Sequence, residues 1–126
     1  MEEKEKVDYL PLGSIVILKG GVQKVVIIAR GLVTAVTTPA GFFDYGGCLY
    51  PQGIVGDQIM YFNHSDIAKV VFEGYTDEDD KMMVDNINEW YRNSDFDRVD
   101  NFHGDDSFSP TMQNHKAPPG RQARTL

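Results

Sequence analysis

Apolar and polar positions alternate in short runs through the first half of the chain, and glycine or proline interrupts each run. Ser14 to Lys19 (SIVILK) meets Gly20-Gly21, a pair able to supply the positive φ angles of a tight hairpin turn, and Val22 to Arg30 (VQKVVIIAR) then runs back. A third, weaker run, Leu32 to Thr37, takes its strand character from Val33, Thr34, Val36 and Thr37, and Pro39 with Gly41 ends it. A fourth covers Phe42 to Leu49 and closes at Pro51 to Gly56; Ile59 to Phe62 and Val70 to Phe72 complete the set. Between the last two, Ser65 to Lys69 has room for about one helical turn. Short strands at this spacing predict a small antiparallel β-sheet or barrel.

The period changes at Thr76. Thr76 can cap a helix whose first turn holds Asp77, Glu78 and Asp79, where carboxylates favour the positive end of the helix dipole. This helix runs to about Arg92. Met83, Ile87 and Tyr91 recur every fourth residue and Trp90 follows Ile87 by three, so the four share a face, with Asp80, Asp85, Asn88 and Glu89 largely elsewhere. That face needs a cover. Packing on the domain's own sheet is the simpler solution, and docking on a partner's helix is the other. From Asn93 onward Ser, Asn, Asp, Gly and Pro dominate around scattered Phe96, Val99, Phe102 and Phe108, a composition that predicts disorder.

The fold class expected is thus α+β: a small antiparallel β-sheet or barrel, one C-terminal amphipathic helix, and a disordered tail. Residues 1–8 form a flexible N-terminus, 9–92 the β-rich domain with its helix, and 93–126 the tail. The tail is acidic and then basic. Residues 77–106 hold 11 acidic side chains against Lys81, Arg92 and Arg98, whereas 113–126 hold Lys116, Arg121 and Arg124 and no acid.

Composition narrows the function classes. A chain of 126 residues with 41% hydrophobic side chains supports one modest core. Its 12 basic and 19 acidic residues give a net charge of −7, which opposes a phosphate backbone, so no nucleic-acid partner is expected. Lys19, Lys24 and Arg30 interrupt the most apolar window, Ser14 to Val36, and no membrane insertion is expected. The opening MEEKEKVDYL lacks the basic, apolar and small-residue regions of a secretory signal, and a single cysteine excludes an intrachain disulfide; both fit a cytoplasmic protein.

Cys48, His64 and Asp66 supply the residue types of a cysteine nucleophile, its base and an orienting group, but Gly46-Gly47-Cys48-Leu49-Tyr50 matches no cysteine-hydrolase signature. A buried structural cysteine is the simpler reading. His64, His103 and His115 have none of the paired spacings of a zinc site, and Asp77 to Asp80 lack the alternating positions and glycine of a calcium loop. Lys19-Gly20-Gly21 is too short for a P-loop. No catalytic residue, metal or cofactor is expected, and the chain reads as a non-enzyme.

Aromatic residues crowd the β-rich half: Phe42, Phe43, Tyr45, Tyr50, Tyr61, Phe62, Phe72 and Tyr75. One small core cannot be assumed to hold them all, and exposed rings serve as anchors at protein interfaces. Tyr45, Tyr50, Tyr61, Tyr75, Trp90 and Tyr91 are the candidate partner-binding residues.

The ordered combination Leu10-Pro11-Leu12-Gly13-Ser14, Asp44-Tyr45 with Cys48-Leu49-Tyr50-Pro51, and Phe62-Asn63-His64 with Phe72-Glu73-Gly74-Tyr75 resembles a Gram-positive bacterial family catalogued as domain of unknown function 4176. The resemblance spans about Tyr9 to Tyr75. It implies an accessory protein associated with LXG-type toxins of the type VII secretion system. The implied role is a non-enzymatic adaptor or chaperone that binds such a toxin, or its small helical targeting proteins, before export. An immunity protein that neutralises a toxin domain is the alternative, in which an acidic surface mimics a nucleic-acid substrate. The family offers no catalytic residues to carry over.

Overall fold

Gly20 takes φ +80° at the expected turn, and β1 (Ile15–Leu18) pairs antiparallel with β2 (Lys24–Thr34). The computed structural model describes residues 4–35, 40–56, 58–99, 111–114 and 124–125. After β2 come β3 (Gly41–Tyr50), β4 (Gln58–Phe62), a 3-10 turn (His64–Asp66), β5 (Ile67–Phe72) and α1 (Glu78–Arg92). The strand order is β5-β1-β2-β3-β4, all neighbours antiparallel, and the two ends do not meet. The sheet is open, which settles the sheet-or-barrel alternative. Two short strands from the C-terminal region extend it: β6 (Thr111–Asn114) pairs with β4, and β7 (Arg124–Thr125) pairs with β2.

The second and third apolar runs form one strand. Gly31 at φ +67° lets β2 continue past Arg30 instead of stopping, and the β2–β3 ladder absorbs a register shift between Ile27 and Ala29. Val36 and Thr37, assigned to the third run, lie outside the described residues. The ladder between β1 and the edge strand β5 is less regular, with shifts between Ile15 and Val16 and between Ile17 and Leu18.

The helix cap falls one residue later than expected. The Asp77 carboxylate accepts from Asp80 N–H at 3.0 Å, while the Thr76 hydroxyl donates to the Asp80 carboxylate at 2.8 Å. Such a cap contributes about 1 kcal/mol. The helix lies on its own sheet, as the simpler reading held: Ile87 and Tyr91 are buried with Val16, Ile27, Phe42 and Phe62. Val84 and Asn88 complete the inward line, placing Met83 and Trp90 about 100° round the helix at its margin. A second cluster of Leu32, Phe43, Ile59 and Tyr61 packs apart from the first.

Two segments assigned from sequence to a flexible terminus and a disordered tail carry specific contacts. Lys4 Nζ donates to the carbonyls of Tyr91, Ser94 and Phe96 at 3.2, 2.9 and 2.6 Å, which neutralises the negative end of α1. Val7 exchanges two 2.8 Å hydrogen bonds with the Asn88 side chain. Residues 94–99 return to the sheet, where Phe42 N–H donates to Asp97 O at 2.9 Å and Val99 N–H to Phe42 O at 3.0 Å. The expected boundaries at residues 8 and 93 are therefore corrected for 4–8 and 94–99. The tail expectation for residues 100–110, 115–123 and 126 lies outside the described residues.

Candidate functional site

Asp44 stands on the central strand β3 and is 1% exposed. A carboxylate so deep requires full hydrogen bonding. Its Oδ1 accepts from the Tyr9 hydroxyl at 2.7 Å and from Arg98 Nε at 2.8 Å, and its Oδ2 accepts from His64 N–H at 2.9 Å. Asn63 extends the network: its Oδ1 accepts from Asp44 N–H at 2.9 Å and its Nδ2 donates to Val99 O at 2.6 Å. Arg98 donates its backbone N–H to the Tyr91 hydroxyl at 2.9 Å and lays its guanidinium 4.4 Å from that ring's centroid. The result joins the N-terminal segment, β3, the 3-10 turn and the returning segment.

Chemically the node is closed. No buried side-chain nitrogen or oxygen among the described residues lacks a partner. An acid, base or nucleophile needs a lone pair or proton directed at a substrate. Asp44 and Arg98 instead direct theirs at each other and at the Tyr9 hydroxyl, and Asp44 Oδ2 takes up the His64 amide. A second ion pair, Arg30 Nη1 to Asp80 Oδ1 at 2.7 Å, fixes the start of α1 to β2.

Burial, followed by the neighbouring Asp44 carboxylate, holds the Tyr9 phenol well above its ordinary range, and burial does the same for Tyr45. A raised folded-state value means that stability is complete below about pH 10 and is lost as pH rises beyond it, because the unfolded chain's tyrosines ionise first. We expect the unfolding free energy from urea denaturation to fall above pH 10 by about 1.4 kcal/mol per pH unit for each such ring, and the midpoint with it. Tyr9→Phe should flatten that slope; a midpoint unchanged from pH 9 to 11 would contradict the assignment.

Cys48, His64 and Asp66 do not assemble into a catalytic group. Cys48 lies opposite Val26 in the ladder, buried, and burial pushes its thiol up, away from the reactive thiolate. His64 places Nδ1 2.8 Å from the Tyr45 hydroxyl. Asp66 Oδ2 accepts from Asn63 N–H at 2.8 Å, closing the 3-10 turn. Among the described residues no group of three or more His, Cys, Asp and Glu side chains could hold a metal ion, and no helix is long and apolar enough to cross a membrane.

The six candidate partner-binding residues divide in two. Tyr45, Tyr61 and Tyr91 are core residues, which corrects their assignment to a contact surface. The reason is packing: β3 is buried from Gly41 to Cys48, which covers Tyr45 on it and Tyr61 on its neighbour β4, and Tyr91 on α1 stacks on Phe42 of β3 at 4.3 Å. Tyr50, Tyr75 and Trp90 are exposed at 43%, 80% and 38%. Trp90 stacks on Phe96 at 6.1 Å, with an interplanar angle of 13°, beside an open groove of about 560 Å³. The ring-based reading missed the most exposed aliphatic side chains, Val22 at 93% and Val55 at 64%. Their signal was apolar residues within glycine-bounded turns, Gly21-Val22 and Gly53-Ile54-Val55-Gly56.

The residues that build the node and its surroundings, from Tyr9 through Asp44 and His64 to Gly74, lie within one family-model match, while Arg98 lies beyond its end. The matching model is described as Domain of unknown function (DUF4176) and covers residues 9–83, more than half of the chain. No curated protein and no solved structure matches the chain. By the extent of that match, the chain belongs to the DUF4176 family, a domain of unknown function.

Proposed function

We propose that the chain is a non-enzymatic accessory protein, an adaptor or chaperone that binds an LXG-type toxin or its small helical targeting partners in the cytoplasm before type VII secretion. The observation that carries the binding part is the outward placement of large apolar side chains, Tyr50, Phe72, Tyr75 and Trp90 among them, while the buried polar side chains among the described residues are all partnered. Exposed Tyr and Trp side chains serve as energetic anchors at protein interfaces. The link to the toxin rests on the motif resemblance. Co-expression of the tagged full chain with the N-terminal and C-terminal regions of an LXG-type toxin tests it. We expect the N-terminal region to co-purify as a discrete complex. Capture of the C-terminal region alone would favour immunity, and capture of neither would reject both.

A further inference from the structure

The last turns of α1 and the segment that follows it frame the open groove of about 560 Å³ beside Trp90. Its lining is aromatic and polar: Trp90 and Phe96, with Asn86, Glu89, Asn93 and Asp95 around them. No lysine or arginine among the described residues lines it. Trp90 is the most exposed ring of a column that also holds Phe42, Tyr91 and Phe96. Its centroid stands 6.2 Å from that of Phe42 and 6.1 Å from that of Phe96, with planes 25° and 13° apart. Near-parallel rings at such a separation overlap only in part, which leaves a portion of the indole open to the groove.

Elsewhere the column already carries cations. Lys4 Nζ lies 4.3 Å and the Arg98 guanidinium carbon 4.4 Å from the Tyr91 centroid, and the same guanidinium lies 5.7 Å from that of Phe42. Tryptophan is the best cation acceptor of the aromatic side chains, yet no cation of the described residues lies over Trp90. Lys4 is close but committed, its three protons going to the carbonyls of Tyr91, Ser94 and Phe96, and Arg98 is held by Asp44. The carboxylates of Glu89 and Asp95, by contrast, make no hydrogen bond or ion pair with any described residue.

These groups select an occupant by charge and by hydrogen-bond type. Two free carboxylates and the amide oxygens of Asn86 and Asn93 are acceptors beside a partly open indole. A guanidinium supplies what they lack: positive charge, five donors with no acceptor, and a flat group that stacks. An acidic segment is repelled by the same carboxylates. A second copy offers Arg92, but on the acid-rich α1 itself, so its entry sets two helices of like charge against each other. We propose that this groove binds an arginine side chain of a partner protein, with its guanidinium laid on Trp90 and paired with Glu89 and Asp95. This rests on the accessory-protein reading and adds the site and the chemistry of one contact.

Trp90 is the chain's one tryptophan, so its fluorescence reports on the groove in the full chain without a label. The probe is a glycine-serine peptide carrying two arginines; its counterpart carries citrulline, the neutral planar equivalent. The arginine peptide should change Trp90 emission saturably and the citrulline peptide should not. Glu89→Gln and Asp95→Asn, both at exposed positions and checked by melting temperature, should each weaken the arginine peptide about threefold, and added salt should weaken it further. Equal responses to the two peptides, no saturable response, or variants that bind like wild type would overturn the assignment. Emission that shifts with protein concentration in the absence of peptide would put a second copy in the groove and overturn it as well. The two readings fail separately: absence of toxin capture rejects the accessory role while the peptides still decide the groove, and toxin capture undiminished in the Glu89→Gln, Asp95→Asn double variant removes the groove from that contact.

Discussion

Asp44→Ala is expected to lower the unfolding free energy by about 3–5 kcal/mol, the cost of breaking a buried charge pair on one side. Asp44 Oδ1 receives Tyr9 and Arg98, and Oδ2 receives the amide that opens the 3-10 turn. Alanine leaves the Tyr9 hydroxyl without its closest partner and Arg98 Nε without its carboxylate. Because Arg98 is partly exposed, water can recover some of its solvation, which places the effect nearer the lower end of the range. Urea denaturation with an unchanged m-value measures the loss. Amide exchange adds a local reading, because Val99 N–H, held on Phe42 O, should lose protection with the node. A loss below about 1 kcal/mol would mean that the four segments are held chiefly by packing.

The second large effect is expected at Gly47. A Cβ built there meets Val26 O at 2.6 Å, Val25 Cγ1 at 2.8 Å and Phe62 Cε1 at 3.1 Å. The closest atom is backbone, on a paired strand in the middle of the sheet, and cannot swing aside. Overpacking of this kind costs about 1–3 kcal/mol, and the higher strand propensity of alanine offsets about 0.5–1 kcal/mol. We expect Gly47→Ala to destabilise by about 2 kcal/mol net. Gly46→Ala is the internal control, since its closest contact is the movable Leu32 Cδ1 at 2.8 Å. Thermal melts in which Gly46→Ala proved the more damaging would refute this account of the glycine pair.

That pair also shows what sequence could and could not convey. Runs, turns and the helix were legible because each rests on local periodicity or on glycine and proline, whose constraints act within a few residues. Gly31 misled because a glycine that ends a strand and one that bends it look alike in sequence. Asp44 and His64 were visible as motif residues, yet their roles depend on Arg98, 54 residues further on, in a stretch with no periodic signal. A single arginine among Ser, Asp and Asn has the composition of a tail until its carboxylate is known. The aromatic rings were legible as a surplus, but which of them face outward was set by β3's burial on both faces, a tertiary property.

The irregular pairing of β5 bears on behaviour at high concentration. Val70, Val71 and Phe72 are exposed on this outermost strand, an invitation to uncontrolled strand addition by neighbouring molecules. Each register shift against β1 twists the strand and breaks the regular alternation of outward amides and carbonyls that an incoming chain must match. Lys69 adds a charge within the same strand. Resistance to fibrous association is thus written into two misalignments of a ladder, and sequence changes that straightened β5 would remove it while leaving the net charge of −7 untouched.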